Sequence, residues 1–347
     1  LGTRYSQLGT RYRLVFPAEL RHTPAFTPAM DIVDLRHFGS VDLRPLLEQE
    51  SQQWGQALAW DYRGSAEMIL RYVEAKILPG YAAVSKGKVC GYAFFVYEGS
   101  KGVIGDLYVE NGWRDGGQQA HALEEQLLTH VIETLQHSPG IHRVEAQLLM
   151  HPADAVARPF LDEGFHRHRR LFMVWPLNGE REPAVAPPMP PDIQVRRWGE
   201  SDFGAAATVI TAAYRNHVDS QINDQYRTVS GSQRFLNNII RFPGCGAFDN
   251  DSSLVAIHKP SKTMVALILC SRVKDDVGHV TQVCVVPEQR GRGLGERLLL
   301  ASAEELRRRR FRSLSLTVTE ANTRAVDLYK KLGFHVARLF DAFVWEG

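Results

Sequence analysis

Several features that would assign a chain quickly are missing here. Lysine and arginine exceed aspartate and glutamate by only two, 41 against 39 in 347 residues, so no global field favours nucleic acid or an acidic membrane. The apolar run from Met264 to Cys270 is far short of the roughly 20 residues a membrane-spanning helix needs. No apolar core followed by a small-residue cleavage site marks the first residues as a secretory signal. Cysteine is scarce: Cys90, Cys245, Cys270 and Cys284 form no close pair and no metal-ligand spacing, which reads as reduced thiols in a cytoplasm, with no metal expected. No G-x-x-x-x-G-K-[ST] phosphate loop occurs either.

What is present is ordinary for a soluble globular chain: 44% hydrophobic and 23% charged residues, at a length that suits about two domains. The pentapeptide LGTRY stands at Leu1 to Tyr5 and again at Leu8 to Tyr12. Residues 1–29 show no clear periodicity and are expected to lie outside the fold, with Met30 as a natural start. A second break falls mid-chain, where Pro183, Pro187, Pro188, Pro190 and Pro191 remove backbone donors and favour an extended linker. The expected organisation is therefore a first domain over 30–177, a linker over 178–191 and a second domain over 192–347.

The second domain alternates its elements. DIQVRRW from Asp192, SLVAIHK, MVALILCSRV, HVTQVCVV and SLSLTV read as strands. ESDFGAAATVITAAYRN, a stretch from about Gly293 to Arg310, and NTRAVDLYKKL read as helices, the last stopped by Gly333; FHVARLFDAFVW closes as a long strand or strand pair. The implied class is α/β (α+β).

Between the HVTQVCVV strand and its helix lies VPEQRGRGLG, with Gly291, Gly293 and Gly295 at alternate positions. A helix N-terminus carries unpartnered N–H groups and the positive end of the helix dipole, and a turn without side chains lets backbone approach a pyrophosphate. Arg290 and Arg292 add charge-assisted donors. The competing reading is a tight turn that needs glycine only for its dihedral angles. The spacing is not the dinucleotide G-x-G-x-x-G. Further on, Asn322, Ala325 and Tyr329 share one helix face.

Together the two stretches resemble the acetyl-CoA signature of the GNAT acetyltransferase superfamily: Arg290, Gly293 and Gly295 match R/Q-x-x-G-x-G/A, and Asn322, Ala325, Leu328, Tyr329, Gly333 and Phe334 match N-x-x-A-x-x-L-Y-x-x-x-G-F. The resemblance covers Asp192 to Gly347. It implies a mixed, mostly antiparallel sheet flanked by helices, acetyl-CoA as cosubstrate and a small-molecule or peptide amine as acceptor. It assigns the pyrophosphate to the turn Arg290, Gly291, Arg292, Gly293, Leu294 and Gly295, the pantetheine arm to the strand around Val283, Cys284 and Val285, and a place in the cofactor site to Asn322. An N–H near Val285 would meet the thioester carbonyl, a contact worth about 3 kcal/mol of barrier if aimed at the oxyanion.

Tyr329 would protonate the leaving thiolate, since an ordinary phenol near pKa 10 keeps its proton at neutral pH; a tyrosine packed on the sheet and an N-cap asparagine are the structural alternatives. His279 falls on the strand where several members carry a catalytic glutamate, and an imidazole titrating near 6.5 suits the base. In RNHVDSQINDQYRT, Asp219, Asp224 and Tyr226 are candidates for meeting a cationic or hydroxylated acceptor, against loop capping. A non-catalytic coenzyme A sensor and a transferase of longer acyl groups remain alternatives.

The first half repeats the plan in worn form. DLYVENGWRDGGQQAHALEEQLL aligns without gaps on QVCVVPEQRGRGLGERLLLASAE, with Arg114 at Arg290, Gly117 at Gly293, but Gln119 at Gly295. Leu123, Leu127, Val131 and Leu135 continue a helical core stripe. FLDEGFHRHRRLFMVW echoes YKKLGFHVARLFDAFVW, with Phe160 at Tyr329 and Ala153 at Asn322. This half is expected to be a second GNAT fold that has lost its acid. HRHRR, from His166, reads as the end of a surface strand, and Arg307 to Arg310 as a solvated helix end.

Overall fold

A computed structural model describes residues 30–111, 118–178, 187–241 and 246–347. The N-terminal 29 residues, Arg114, Gly117, Cys245 and the middle of the linker lie outside the described residues. The first half runs β1 (Met30–Asp34), α1 (Ser40–Leu58), α2 (Arg63–Glu74), β2 (Gly80–Ser85), β3 (Lys88–Glu98), β4 (Lys101–Val109), α3 (Gln118–Gln136), β5 (Arg143–Gln147), α4 (Ala157–Asp162) and β6 (His166–Pro176). The second runs β7 (Ile193–Arg197), α5 (Phe203–Tyr214), α6 (Asp219–Ile222), α7 (Val229–Arg241), β8 (Ala247–Phe248), β9 (Leu254–His258), β10 (Thr263–Lys274), β11 (Val277–Val285), α8 (Leu294–Arg308), β12 (Ser313–Thr319), α9 (Thr323–Leu332) and β13 (His335–Glu346). Among the described residues no helix is long and apolar enough to cross a membrane.

The strands form one continuous sheet in the order β1-β2-β3-β4-β5-β13-β6-β12-β11-β10-β9-β7, with β8 paired to β10. Most neighbours are antiparallel; β4 with β5 and β11 with β12 are parallel, one such pair in each half. The centre of this order shows something the sequence did not reveal. The last strand of the first half, β6, lies against β12 of the second, while the last strand of the chain, β13, lies against β5 of the first. Each half thus completes the other's sheet, and the two exchanged strands pair with each other along the seam.

HRHRR is therefore not the end of a surface strand: it opens β6, the seam strand, where His166 pairs with Val344 and Arg170 with Phe340. The helical stripe of the first half is core, with Leu127, Val131 and Leu135 fully buried under β3 and β4. In the second half Leu298, Leu299 and Leu306 of α8 pack with Val326 and Leu332 of α9 on one sheet face, and α5 and α7 cover the other through Val209, Ile210 and Leu236. The arginine run at the end of α8 is only partly solvated, for Arg307 lies over the Trp175 ring at 4.7 Å and Arg309 pairs with buried Asp249 at 2.7 Å.

Candidate active site

The site begins where β11 and β12 separate. Their parallel ladder holds from Val277 with Ser313 to Val280 with Leu316 and then stops. On the other side of β11, Leu269 faces Gln282 and Cys270 faces Val280, so Thr281 is an extra, bulged residue. A bulge bends its strand and disrupts pairing locally, and here the strands splay beyond it. Past the bulge Val286 donates to Val265 of β10. Strand alternation then turns the N–H groups of Val283 and Val285 the other way, toward the gap. The Val283 N–H meets the Gln282 side-chain carbonyl at 3.1 Å; the Val285 N–H faces the opening.

A cavity of about 760 Å³ fills this wedge. Its walls include Val283, Cys284, Val285, Arg290, Gly291, Gly293, Leu294, Gly295, Asn322 and Tyr329, together with His279, Asp219 and Tyr226. Residues distant in sequence and singled out for different reasons thus converge on one space.

The three glycines have different reasons to be there. Gly291 and Gly293 have φ of +80° and +76°, a region that favours glycine, so their dihedral angles account for them. Gly295 does not: it lies in the first turn of α8, and an added Cβ would meet only Val285 Cγ2, at 3.8 Å. Neither strain nor packing within the chain forbids a side chain at Gly295; what glycine leaves there is room in the cavity, beside helix N–H groups that no side chain caps. Arg290 is held by the carbonyls of Ala213, at 2.5 Å, and Val285, at 3.3 Å. Arg292 does not line the cavity; it turns to Gln289 and Asp192.

Tyr329 is buried against Phe334, and among the described residues its hydroxyl has no hydrogen-bond partner. Burial first, and the nearby Asp219 carboxylate second, hold its pKa above that of an ordinary phenol, so it stays protonated. Asn322 has both readings at once: its Oδ1 accepts from the Ala325 N–H at 3.4 Å, capping α9, and its Nδ2 lies 3.3 Å from His217 Nε2.

His279 lines the cavity but is 94% buried, at 6% exposure, between Phe172 and Trp60 of the first half. Burial lowers its pKa to about 4, which corrects the expectation of a group titrating near 6.5: among the described residues no carboxylate faces it to offset the cost of charging. Ser315 Oγ donates to the Gly278 carbonyl and lies 2.9 Å from His279 Nδ1. With the serine proton so placed, Nδ1 carries the imidazole proton and Nε2 keeps a lone pair.

Asp224 is not part of the cavity wall. It pairs with Lys101 of the first half at 2.6 Å, as a tie between halves. Asp219 is in place, accepting from Thr319 Oγ1 and lying 3.3 Å from Arg170 Nη1. Sequence reasoning missed Arg170, Tyr214, His217 and Gln282. Arg170 reaches the cavity only because β6 is exchanged, which no local pattern signals. Gln282 is 4% exposed; its Oε1 accepts from Tyr214 at 2.7 Å, and among the described residues its Nε2 has no partner.

The first half carries the same frame with other side chains. Phe94 faces Asp106 and Phe95 faces Ile104, so Gly105 is the bulge there, and Asp106, not Gly105, stands at the place of Gln282. This is the same offset that sets Arg114 at Arg290 and Gln119 at Gly295. Tyr62 donates to Asp106 at 2.6 Å as Tyr214 does to Gln282, and the Leu107 N–H donates to Asp106 as Val283 does to Gln282. Phe165 N–H bonds to the Phe160 carbonyl, and Phe334 N–H to the Tyr329 carbonyl, each at 3.0 Å. Phe160 thus takes the position of Tyr329, with its ring stacked on Phe343 at 4.1 Å. The cavity on this side measures about 220 Å³.

Residues 221–334 match the family model described as acetyltransferase (GNAT) family. Among curated proteins, the chain is similar to the mycothiol acetyltransferase of Thermobispora bispora, 52% identical over 58 residues, or 17% of this chain and 20% of that protein. It is also similar to the mycothiol acetyltransferase of Thermobifida fusca, 30% identical over 218 residues, 52% of this chain and 67% of that protein. The match to the Thermobispora relative therefore spans about a fifth of that relative's length. Among solved structures, a tandem GNAT protein from the clavulanic acid biosynthesis pathway has a TM-score of 0.59 at 16% identity, with 92% of this chain and 98% of that chain covered. That likeness is one of fold.

Proposed function

We propose, for a chain that belongs to the GNAT acetyltransferase family, that its second half transfers the acetyl group of acetyl-CoA to a primary amine of a small molecule by direct attack within one ternary complex. The observation that carries this reading is the convergence of the glycine turn, the unpaired β11 edge and the Tyr329 hydroxyl on a single cavity. The relatives' name, mycothiol acetyltransferase, supports a small-molecule acceptor.

In this reading the pyrophosphate lies on the α8 N-terminus over Gly293 and Gly295, where helix N–H groups and dipole favour an anion. The pantetheine arm pairs along Val283 to Val285, bringing the thioester carbonyl to the Val285 N–H. The amine nitrogen attacks that carbonyl carbon, and the oxygen gains negative charge in the tetrahedral intermediate. The N–H group aimed at it lowers the barrier by about 3 kcal/mol. The amine proton leaves to a base; His279 Nε2, neutral at any pH above about 4, is the candidate, directly or through a water. The C–S bond then breaks, and the Tyr329 hydroxyl gives its proton to the departing thiolate.

Direct attack is favoured over an acyl-cysteine route because burial pushes the Cys284 thiol well above its ordinary pKa, which removes the thiolate a nucleophile needs. Incubation of the purified chain with acetyl-CoA and a panel of amino sugars, amino-acid amides and polyamines, read by mass spectrometry, tests the proposal. The expected result is an N-acetylated product with release of coenzyme A, lost in Tyr329→Phe. Acetyl-CoA binding with no product from any amine would overturn it in favour of a coenzyme A sensor.

A further inference from the structure

The first half has a cavity of its own whose lining points to a different ligand. Its walls are Trp54, Tyr62 and Phe94 on the aromatic side, with Met68, Leu148 and Met150 among the apolar ones. Trp54 and Tyr62 stack in parallel at 4.7 Å. At its base is Asp106, 6% exposed, backed by Glu50 at 1%. Burial, and then the charge of Asp106, hold the Glu50 carboxyl well above the usual carboxylate range.

The donors on the two carboxyls are neutral: Tyr62 and the Leu107 N–H on Asp106, and Tyr92 and Trp54 on Glu50. Among the described residues no lysine or arginine pairs with either carboxyl. A buried charge without a counter-ion is costly. Ser65, in the first turn of α2 and 8% exposed, has no hydrogen-bond partner for its hydroxyl among the described residues and lines the same space.

We infer that this cavity is a binding site for a small organic ammonium compound bearing a hydroxyl or similar acceptor, with the cation beside Asp106 among the Trp54, Tyr62 and Phe94 rings and the polar end on Ser65. Aromatic faces and a desolvated carboxylate both attract such a cation, and the volume suits a compact ligand rather than a coenzyme. Gln147 lines both this cavity and the larger one, so the bound cation sits one side chain from the acceptor site. The inference does not rest on the proposed acetyl transfer.

Choline serves as the probe and 3,3-dimethylbutan-1-ol as its neutral counterpart, in calorimetric titrations of the whole chain. The expected result is saturable choline binding at one site, at least roughly tenfold tighter than the neutral alcohol, as a desolvated cation–aromatic contact implies. Asp106→Asn should weaken choline by a similar factor. Ser65→Met, which fills the cavity without touching the carboxyls, should abolish binding, and Gly295→Glu in the other cavity should leave it unchanged. Circular dichroism checks that each variant is folded. Equal heats for choline and the alcohol, undiminished binding in folded Ser65→Met, or loss in Gly295→Glu instead, would each overturn the inference.

Discussion

The two halves of this chain share a frame down to single hydrogen bonds and differ in the few atoms that chemistry requires. Both have a bulge before the strand splay, a tyrosine donating to the residue after it, and an aromatic residue closing a short helix. In the second half that aromatic residue is Tyr329 beside a cavity of about 760 Å³; in the first it is Phe160, stacked shut on Phe343, beside about 220 Å³. Gln282, whose Nε2 has no partner among the described residues, faces the larger space, and Asp106, backed by Glu50, faces the smaller. The first half thus keeps the fold without a hydroxyl at this position. The strand exchange gives the reason: β6 supplies the second half's sheet and, through Arg170, a wall of its cavity.

Breaking that exchange has the largest expected effect. A chain lacking residues 335–347 leaves long edges on both β5 and β6, and open edges of this kind pair with other chains. It should be insoluble, as should 30–177 alone, whereas 30–177 coexpressed with 187–347 should copurify as one folded complex. Soluble, cooperatively folding 30–177 by itself would show that the halves are independent.

At the site, Tyr329→Phe makes the second half imitate the first. Turnover should fall by about 10²–10⁴, the range for a lost general acid, with the fold intact by circular dichroism. The reciprocal Phe160→Tyr should bring no activity to the first half. Residual turnover near wild type in Tyr329→Phe would move catalysis to the other lobe.

His279 sharpens the comparison more finely, since Phe172 and Trp60 of the first half are what desolvate it. Its folded-state pKa, about 4, lies below the ordinary value near 6.5, so the unfolded chain binds the extra proton between these pH values. Stability therefore falls as pH drops through this window, by about 3 kcal/mol at pH 4. Urea unfolding should show this loss in the wild type and not in His279→Gln. The ratio of wild-type to His279→Gln turnover, which cancels the ionisation of the amine acceptor, should stay level from pH 8 to about 5, whereas an inflection near 6.5 would mean the imidazole is not desolvated.

Much of the second half was legible because its signals are local. Gly291 and Gly293 report backbone angles, the apolar spacing of α8 and α9 reports a buried face, and Asn322 is both cap and cavity wall. Gly295 is the informative glycine, but only coordinates show that nothing in the chain forbids a side chain there. What was not legible is non-local. Strand exchange leaves each strand's own alternation unchanged, so HRHRR, with Arg170 in it, read as the end of a surface strand. Asp224 read as an acceptor contact because its partner, Lys101, is 123 residues away. The pKa of His279 was misjudged for the same reason, since its desolvating rings come from the other half.

The central claim is that one cavity, in the second half, takes acetyl-CoA. Calorimetric titration of the whole chain with acetyl-CoA, in wild type and Gly295→Glu, tests it most directly, because this substitution puts a carboxylate into the cavity at a position with ordinary dihedral angles and space. One site per chain, abolished by the substitution, is the result expected. Two sites, or heat indifferent to Gly295→Glu, would contradict the account.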